Sequence, residues 1–177
     1  MMTKLIGAFG GFPLPVLGIV ARSGTGKTTL LTKLIPALRE AGLRVAVIKH
    51  SHHDIEMDKP GKDSHRLREA GAQQVMLASP YRTFWVGEGD GETEPALTDL
   101  LAQLDISNID LVLLEGYRTI SCAKIEVHRD EVSGEPLAME DQTILAVASD
   151  LSVDIHVPVL PLNNIQKIRD FVLSLLP

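Results

Sequence analysis

At 177 residues, 45% hydrophobic and 23% charged, the chain has the size and balance of one folded globular domain able to bury a core. A formal net charge of −6 argues against a sequence-independent nucleic-acid binder, which needs a basic surface. The single cysteine, Cys122, excludes an internal disulfide framework, suits a reducing cytoplasmic setting, and reads as a small core residue rather than a nucleophile.

Residues 5–21 carry no charge and follow Lys4, which resembles a signal peptide. Gly7, Gly10, Gly11, Pro13 and Pro15 interrupt the stretch, however, and it is too short and broken for a membrane span. Its last third, residues 15–20, reads as a strand. Residues 1–14 are therefore read as an N-terminal extension, and residues 15–177 as one nucleotide-binding domain.

Directly after that strand come Ala21, Arg22, Ser23, Gly24, Thr25, Gly26, Lys27 and Thr28, and then a run with helix-period leucines. Strand, glycine loop and helix in this order make a phosphate-binding loop. Glycines let successive N–H groups converge on one phosphate, and the helix N-terminus adds its positive dipole end. Lys27 is placed to reach β- and γ-phosphates, and the Thr28 hydroxyl to ligate Mg²⁺. Ala21 stands where the usual pattern has Gly, while the Gly-Lys-Thr core is intact.

The helix is expected to reach about Ala41, with Leu30, Leu31, Leu34, Ile35 and Leu38 on one face; Pro36 should kink it or end its regular part early. Residues 44–49 read as a strand buried on both faces. Residues 50–62 are polar and turn-rich. Asp63 is placed to cap a short helix through Ala70 that stops at Gly71. Strands follow at 74–78 and 83–86, a flexible acidic loop at 87–91, and a helix at 95–104. Residues 110–115 form another buried strand, residues 124–128 alternate like a half-exposed one, and 144–148 are buried again. Residues 157–159 read as an edge strand. Asn163 or Asn164 caps a last helix, with Ile165, Ile168, Phe171, Val172 and Leu175 on its apolar side.

Strands alternating with helices indicate an α/β fold, a P-loop NTPase-type mostly parallel sheet sandwiched by helices. Ligands bind such sheets at the carboxyl ends of the strands. That rim gathers the phosphate loop, the loop after Lys49, the Glu115-Gly116 turn and the Ser149-Asp150 turn. Glu115 ends an apolar run, where a carboxylate holds Mg²⁺ or orients the attacking water; a solvated turn carboxylate is the competing reading. The run from His50 to Asp54 holds three histidines, and so invites a zinc reading. A switch-type loop that senses the γ-phosphate, with Asp54 bearing on metal or water, suits a Mg²⁺ site better, and a plain polar surface loop stays open. Lys59 and Lys62 read as contacts to phosphates or to an anionic partner, or as a solvated face. Asp150 is placed to accept from N1–H and the exocyclic amine of guanine; a turn-capping carboxylate is the competing reading.

The runs Arg22–Leu31, Ile48–Asp54, Asp58–Ser64, Leu113–Tyr117 and Ala146–Asp150 together resemble the molybdopterin-guanine dinucleotide biosynthesis adapter proteins, the MobB family. The resemblance covers about residues 15–175. It implies a GTP-binding protein with weak Mg²⁺-dependent GTPase activity and a homodimeric state. Such a protein works beside the guanylyltransferase that joins GMP to the molybdenum cofactor and beside cofactor-insertion proteins. On this reading Lys27, Asp54 and Glu115 are the catalytic residues. Thr28, Glu115 and Asp54 hold Mg²⁺. Arg22, Ser23, Gly24, Thr25, Gly26, Lys27, Thr28, Thr29 and Asp150 hold the nucleotide. The chain departs from the family in its N-terminal extension and in the 80–95 region. The residues alone also admit an ATP-dependent small-molecule kinase, with the histidine loop holding the acceptor, or a structural dimerisation module with a vestigial loop. Neither nucleic acid nor a membrane is expected as partner.

Overall fold

Apolar runs of strand length alternate with amphipathic helices along most of this chain, and the computed structural model shows what they build. It describes residues 5, 9–51, 55, 59–129 and 134–177. In chain order the elements are β1 (Val16–Val20), α1 (Lys27–Glu40), β2 (Val45–Lys49), α2 (Asp63–Glu69), β3 (Gln74–Ala78), β4 (Thr83–Gly87), α3 (Leu97–Ala102), β5 (Leu111–Glu115), β6 (Lys124–His128), β7 (Ile144–Ser149), β8 (Val159–Pro161) and α4 (Ile165–Leu175). Short 3₁₀ turns lie at Ile106–Asn108 and Leu137–Met139. The chain divides into two compact units, one formed by the chain up to His50 together with Leu97–Pro177, the other by Ser51–Ala96.

The first unit is a six-stranded sheet in the order β2-β5-β1-β6-β7-β8, with every neighbouring pair parallel. Helices cover both of its faces, so β1 and β5 are buried at every position and read as unbroken apolar runs. On one face Leu30, Leu31, Leu34 and Leu38 of α1 and Ile168 and Val172 of α4 pack on Leu17, Ile19, Leu113 and Ile125. On the other, Leu97 and Leu101 of α3 meet Val16, Val112, Leu114 and Cys122, while Ala138 meets Val20, Ile144 and Val147. Each such leucine is worth about 1.5–3 kcal/mol of burial. Ahead of β1, Leu5 is buried in the same core and its carbonyl accepts the Val16 N–H at 3.0 Å.

Several local expectations are corrected. Pro36 does not end α1, which continues to Glu40; its ring faces solvent while Ala37 and Leu38 anchor the last turn in the core. β2 is an edge strand rather than one buried on both faces, and Val47 is 42% exposed. β6 is buried at all five positions instead of half-exposed, because it lies between β1 and β7 and Lys124 and Glu126 find partners inside the protein. Lys124 Nζ donates to Asp141 Oδ2 at 2.8 Å and to the Arg118 carbonyl at 2.9 Å. The Glu126 carboxylate accepts the N–H groups of Leu137 and Ala138 at 2.8 and 3.0 Å. Lys62, not Asp63, takes the capping position of α2, α3 begins two residues after Pro95, and β8 begins at Val159. Asn164 caps α4, its side chain accepting the Lys167 N–H at 3.1 Å.

In the second unit β3 and β4 form an antiparallel hairpin in register from Gln74↔Gly87 to Ala78↔Thr83. Ser79 closes its turn: its hydroxyl oxygen accepts the N–H groups of Tyr81 and Arg82 at 3.3 and 3.2 Å. Arg68 of α2 pairs with Glu88 just beyond β4. Val75 is buried, whereas Met76, Leu77, Phe84 and Trp85 are exposed.

Candidate nucleotide site

The loop between β1 and α1 turns on two glycines with left-handed backbone, Gly24 at φ 78° and Gly26 at φ 100°. Thr25 is fully buried under the loop, and its hydroxyl donates to the Arg22 carbonyl at 2.8 Å, which fixes the curl. Gly26 takes the capping position of α1 and its carbonyl accepts the Leu30 N–H at 2.9 Å. The capping residue is thus a glycine, which has no side chain to bond the first N–H groups, and the first turn has no acidic residue. The helix therefore presents backbone donors and its positive end to the loop, the arrangement that receives a phosphate. Lys27 Nζ lies 3.4 Å from the Arg22 carbonyl and 3.5 Å from that of Ala21, folded along the loop. Ser23, Thr28 and Thr29 are exposed on it.

β5 runs beside β1 with Ile19 opposite Glu115, so Glu115 ends its strand directly beneath the loop. The Thr28 hydroxyl donates to Glu115 Oε1 at 2.5 Å, and Lys49 Nζ, from the end of β2, lies 3.4 Å from the same oxygen. The Glu115 side chain is 8% exposed, yet it is partnered by a hydroxyl and a cation, as a buried carboxylate must be. Hydroxyl and carboxylate oxygens are the hard donors Mg²⁺ takes, so Thr28 and Glu115 fit that ion. The His50 N–H donates to the Glu115 carbonyl at 2.9 Å, and its ring lies 5.2 Å from that of Tyr117. Asp54, expected to bear on metal or water, lies outside the described residues, as do His52 and His53. No cluster of three or more metal-ligating side chains exists among the described residues.

Asp150 follows β7 on the same rim, on the wall of a cavity of about 370 Å³ lined also by Ser149, Leu151, Ser152, Val153, Val159 and Pro161. A residue that sequence reasoning missed joins it to the loop. Arg129, just past β6, donates from Nε to the Thr25 carbonyl at 3.1 Å and from Nη1 to Asp150 Oδ2 at 2.8 Å. The available signal was position, since Arg129 follows a strand whose carboxyl end must share the rim with the loop. On the loop's outer side Arg22 Nη2 donates to the Glu135 carbonyl at 3.3 Å. Cys122 takes no part; it is buried in the core, and burial pushes its thiol pKa up.

A family model described as molybdopterin guanine dinucleotide synthesis protein B matches residues 16–150. The molybdopterin-guanine dinucleotide biosynthesis adapter protein of Escherichia coli is 45% identical over 162 residues, covering 91% of this chain and 93% of its own length. That of Haemophilus influenzae is 45% identical over 159 residues, covering 90% and 88%. A crystal structure of molybdopterin-guanine biosynthesis protein B superposes with a TM-score of 0.71 at 32% identity, covering 91% of this chain and 99% of that one.

Proposed function

The chain belongs to the molybdopterin guanine dinucleotide synthesis protein B family, and from that membership we propose that it is an adapter in the biosynthesis of that dinucleotide that binds GTP with Mg²⁺ and hydrolyses it slowly. The observation that carries the nucleotide site is the glycine loop at a helix start whose capping residue is Gly26, with the Thr28–Glu115 contact of 2.5 Å beneath it. Phosphates would take the loop N–H groups between Arg22 and Thr29, with Lys27 on the β–γ bridge. Thr28 and Glu115 would hold Mg²⁺, which when bound neutralises phosphate charge. Asp150, on its cavity at the end of β7, would read guanine, because adenine offers no pair of donors there. Such a site supplies positioning and charge neutralisation, which suits an adapter that turns over slowly. In the pathway the chain would act in the cytoplasm as a homodimer beside the guanylyltransferase and the cofactor-insertion proteins.

The test is equilibrium binding of GTP and ATP, each with Mg²⁺, to the protein and to Lys27→Ala. Two charge-assisted hydrogen bonds lost at the phosphates correspond to a weakening of about a hundredfold or more. Unchanged GTP binding by Lys27→Ala refutes the site, and a preference for ATP refutes the guanine assignment.

A further inference from the structure

We propose that Arg129 is a positioning residue that sets guanine preference by fixing the Asp150 carboxylate against the phosphate loop. The inference rests on the guanine-nucleotide reading above and adds to it a residue outside the loop motif.

β6 lies between β1 and β7, so Arg129 projects from the one strand end flanked by both the phosphate loop and Asp150. The strand that delivers it is held by parallel ladders on either side, Val20↔Glu126 toward β1 and His128↔Ser149 toward β7. Its guanidinium then spans the two neighbours, with Nε on the Thr25 carbonyl at 3.1 Å and Nη1 on Asp150 Oδ2 at 2.8 Å. A Cβ built on Gly26 would lie 3.9 Å from the same Nε, so the group rests on the loop itself. A nucleotide with its phosphates in the loop and its base over the β7–β8 cavity must pass this side chain.

The Asp150 side chain is 29% exposed at a strand end, where a lone carboxylate would rotate. Two donors of one rigid planar fork, one on backbone and one on carboxylate, stop that rotation. A carboxylate accepts at about four lone-pair sites, so the Arg129 bond leaves Oδ1 and part of Oδ2 for N1–H and the exocyclic amine of guanine. Arg129 thus ties base reading to the loop that holds the phosphates.

The experiment measures Kd, with Mg²⁺, for GTP, ITP and inorganic tripolyphosphate on the full chain, on Arg129→Gln and on Arg129→Lys. ITP lacks the exocyclic amine, so the GTP/ITP ratio reads the Asp150 contact, while tripolyphosphate reads the loop alone. The expected result for Arg129→Gln is a GTP/ITP preference reduced about tenfold or more, one charge-assisted hydrogen bond's worth, with tripolyphosphate changed less than about twofold. Arg129→Lys keeps the charge without the fork and should recover part of the preference; it also serves if the glutamine variant fails to fold. Equal weakening of all three ligands would make Arg129 a loop staple and overturn the inference, as would an unchanged ratio. A parent chain that binds no GTP removes the premise itself, an outcome distinct from both.

Discussion

Lys124→Met is expected to destabilise the protein by about 3 kcal/mol, the low end for breaking a buried ion pair. The Lys124 side chain is 2% exposed, and its ammonium holds Asp141 Oδ2 and the Arg118 carbonyl at 2.8 and 2.9 Å. Methionine keeps the stem and its packing and removes only the charge, so the loss falls on those two bonds. The lower end applies because Asp141 is 26% exposed and its other oxygen still accepts the Thr143 N–H and hydroxyl at 2.9 and 2.5 Å. Urea unfolding measures the difference. Burial alone would push the Asp141 carboxyl up, but the bonds from Lys124 and Thr143 outweigh it and hold the group below the ordinary carboxylate range. A carboxyl with a lowered folded pKa contributes stability above its unfolded pKa of about 3.9 and loses it as pH falls through the folded value. The gap between parent and variant should therefore narrow on acidification below roughly pH 4. A variant within about 1 kcal/mol of the parent at neutral pH, or a gap that widens in acid, refutes this account of β6.

Gly18→Ala should cost about 1–3 kcal/mol by overpacking, since the added Cβ would meet Lys124 Cγ at 2.9 Å and the lysine is pinned at its ammonium. The cost should shrink in the Lys124→Met background, where the side chain can shift, and additive losses in a double-mutant cycle would count against it. The Asp110 carboxyl, bonded by the Arg44 side chain and backbone N–H, is held down to about 2, and an NMR titration should find it there. Arg44→Gln removes the side-chain bonds and leaves the backbone N–H, so it should raise the Asp110 pKa only part of the way toward roughly 3.9. The parent's extra acid resistance lies between about 2 and about 3.9 and is lost as pH falls through the lower value. An Asp110 that titrates near 4 in the parent would show the pair is open in solution.

The phosphate loop, the order of strands and helices and the parallel sheet were legible because each rests on local pattern. An apolar run before the Gly-Lys-Thr core and a leucine stripe after it specify strand, turn and helix without reference to anything distant. Glu115 was legible for the same reason, as a carboxylate closing an apolar run. Its contact with Thr28 joins residues 87 apart and needed the strand order to appear. Strand order also decided the errors. Whether β2 or β6 lies at an edge is not written in five residues, and Lys124 and Glu126 alternate with their apolar neighbours the same way whether their partners are water or Asp141 and the Leu137 backbone. Arg129 was missed because its role depends on which two strands flank β6. The resemblance identified the family correctly from spaced runs that no single element would have distinguished.

Because β1 is flanked by β5 and β6, its first partner, Val112 opposite Val16, leaves the ribosome long after it. An N-terminal fragment ending before Leu111 would hold the loop sequence and α1 but neither strand that pairs with β1. Contacts so distant along the chain slow folding and leave apolar strands exposed while it proceeds. Synthesis at about 5–20 residues per second therefore leaves β1 waiting several seconds for β5. The proposed nucleotide site should accordingly be completed late in biogenesis, once β5 and β6 have emerged and the loop has its floor.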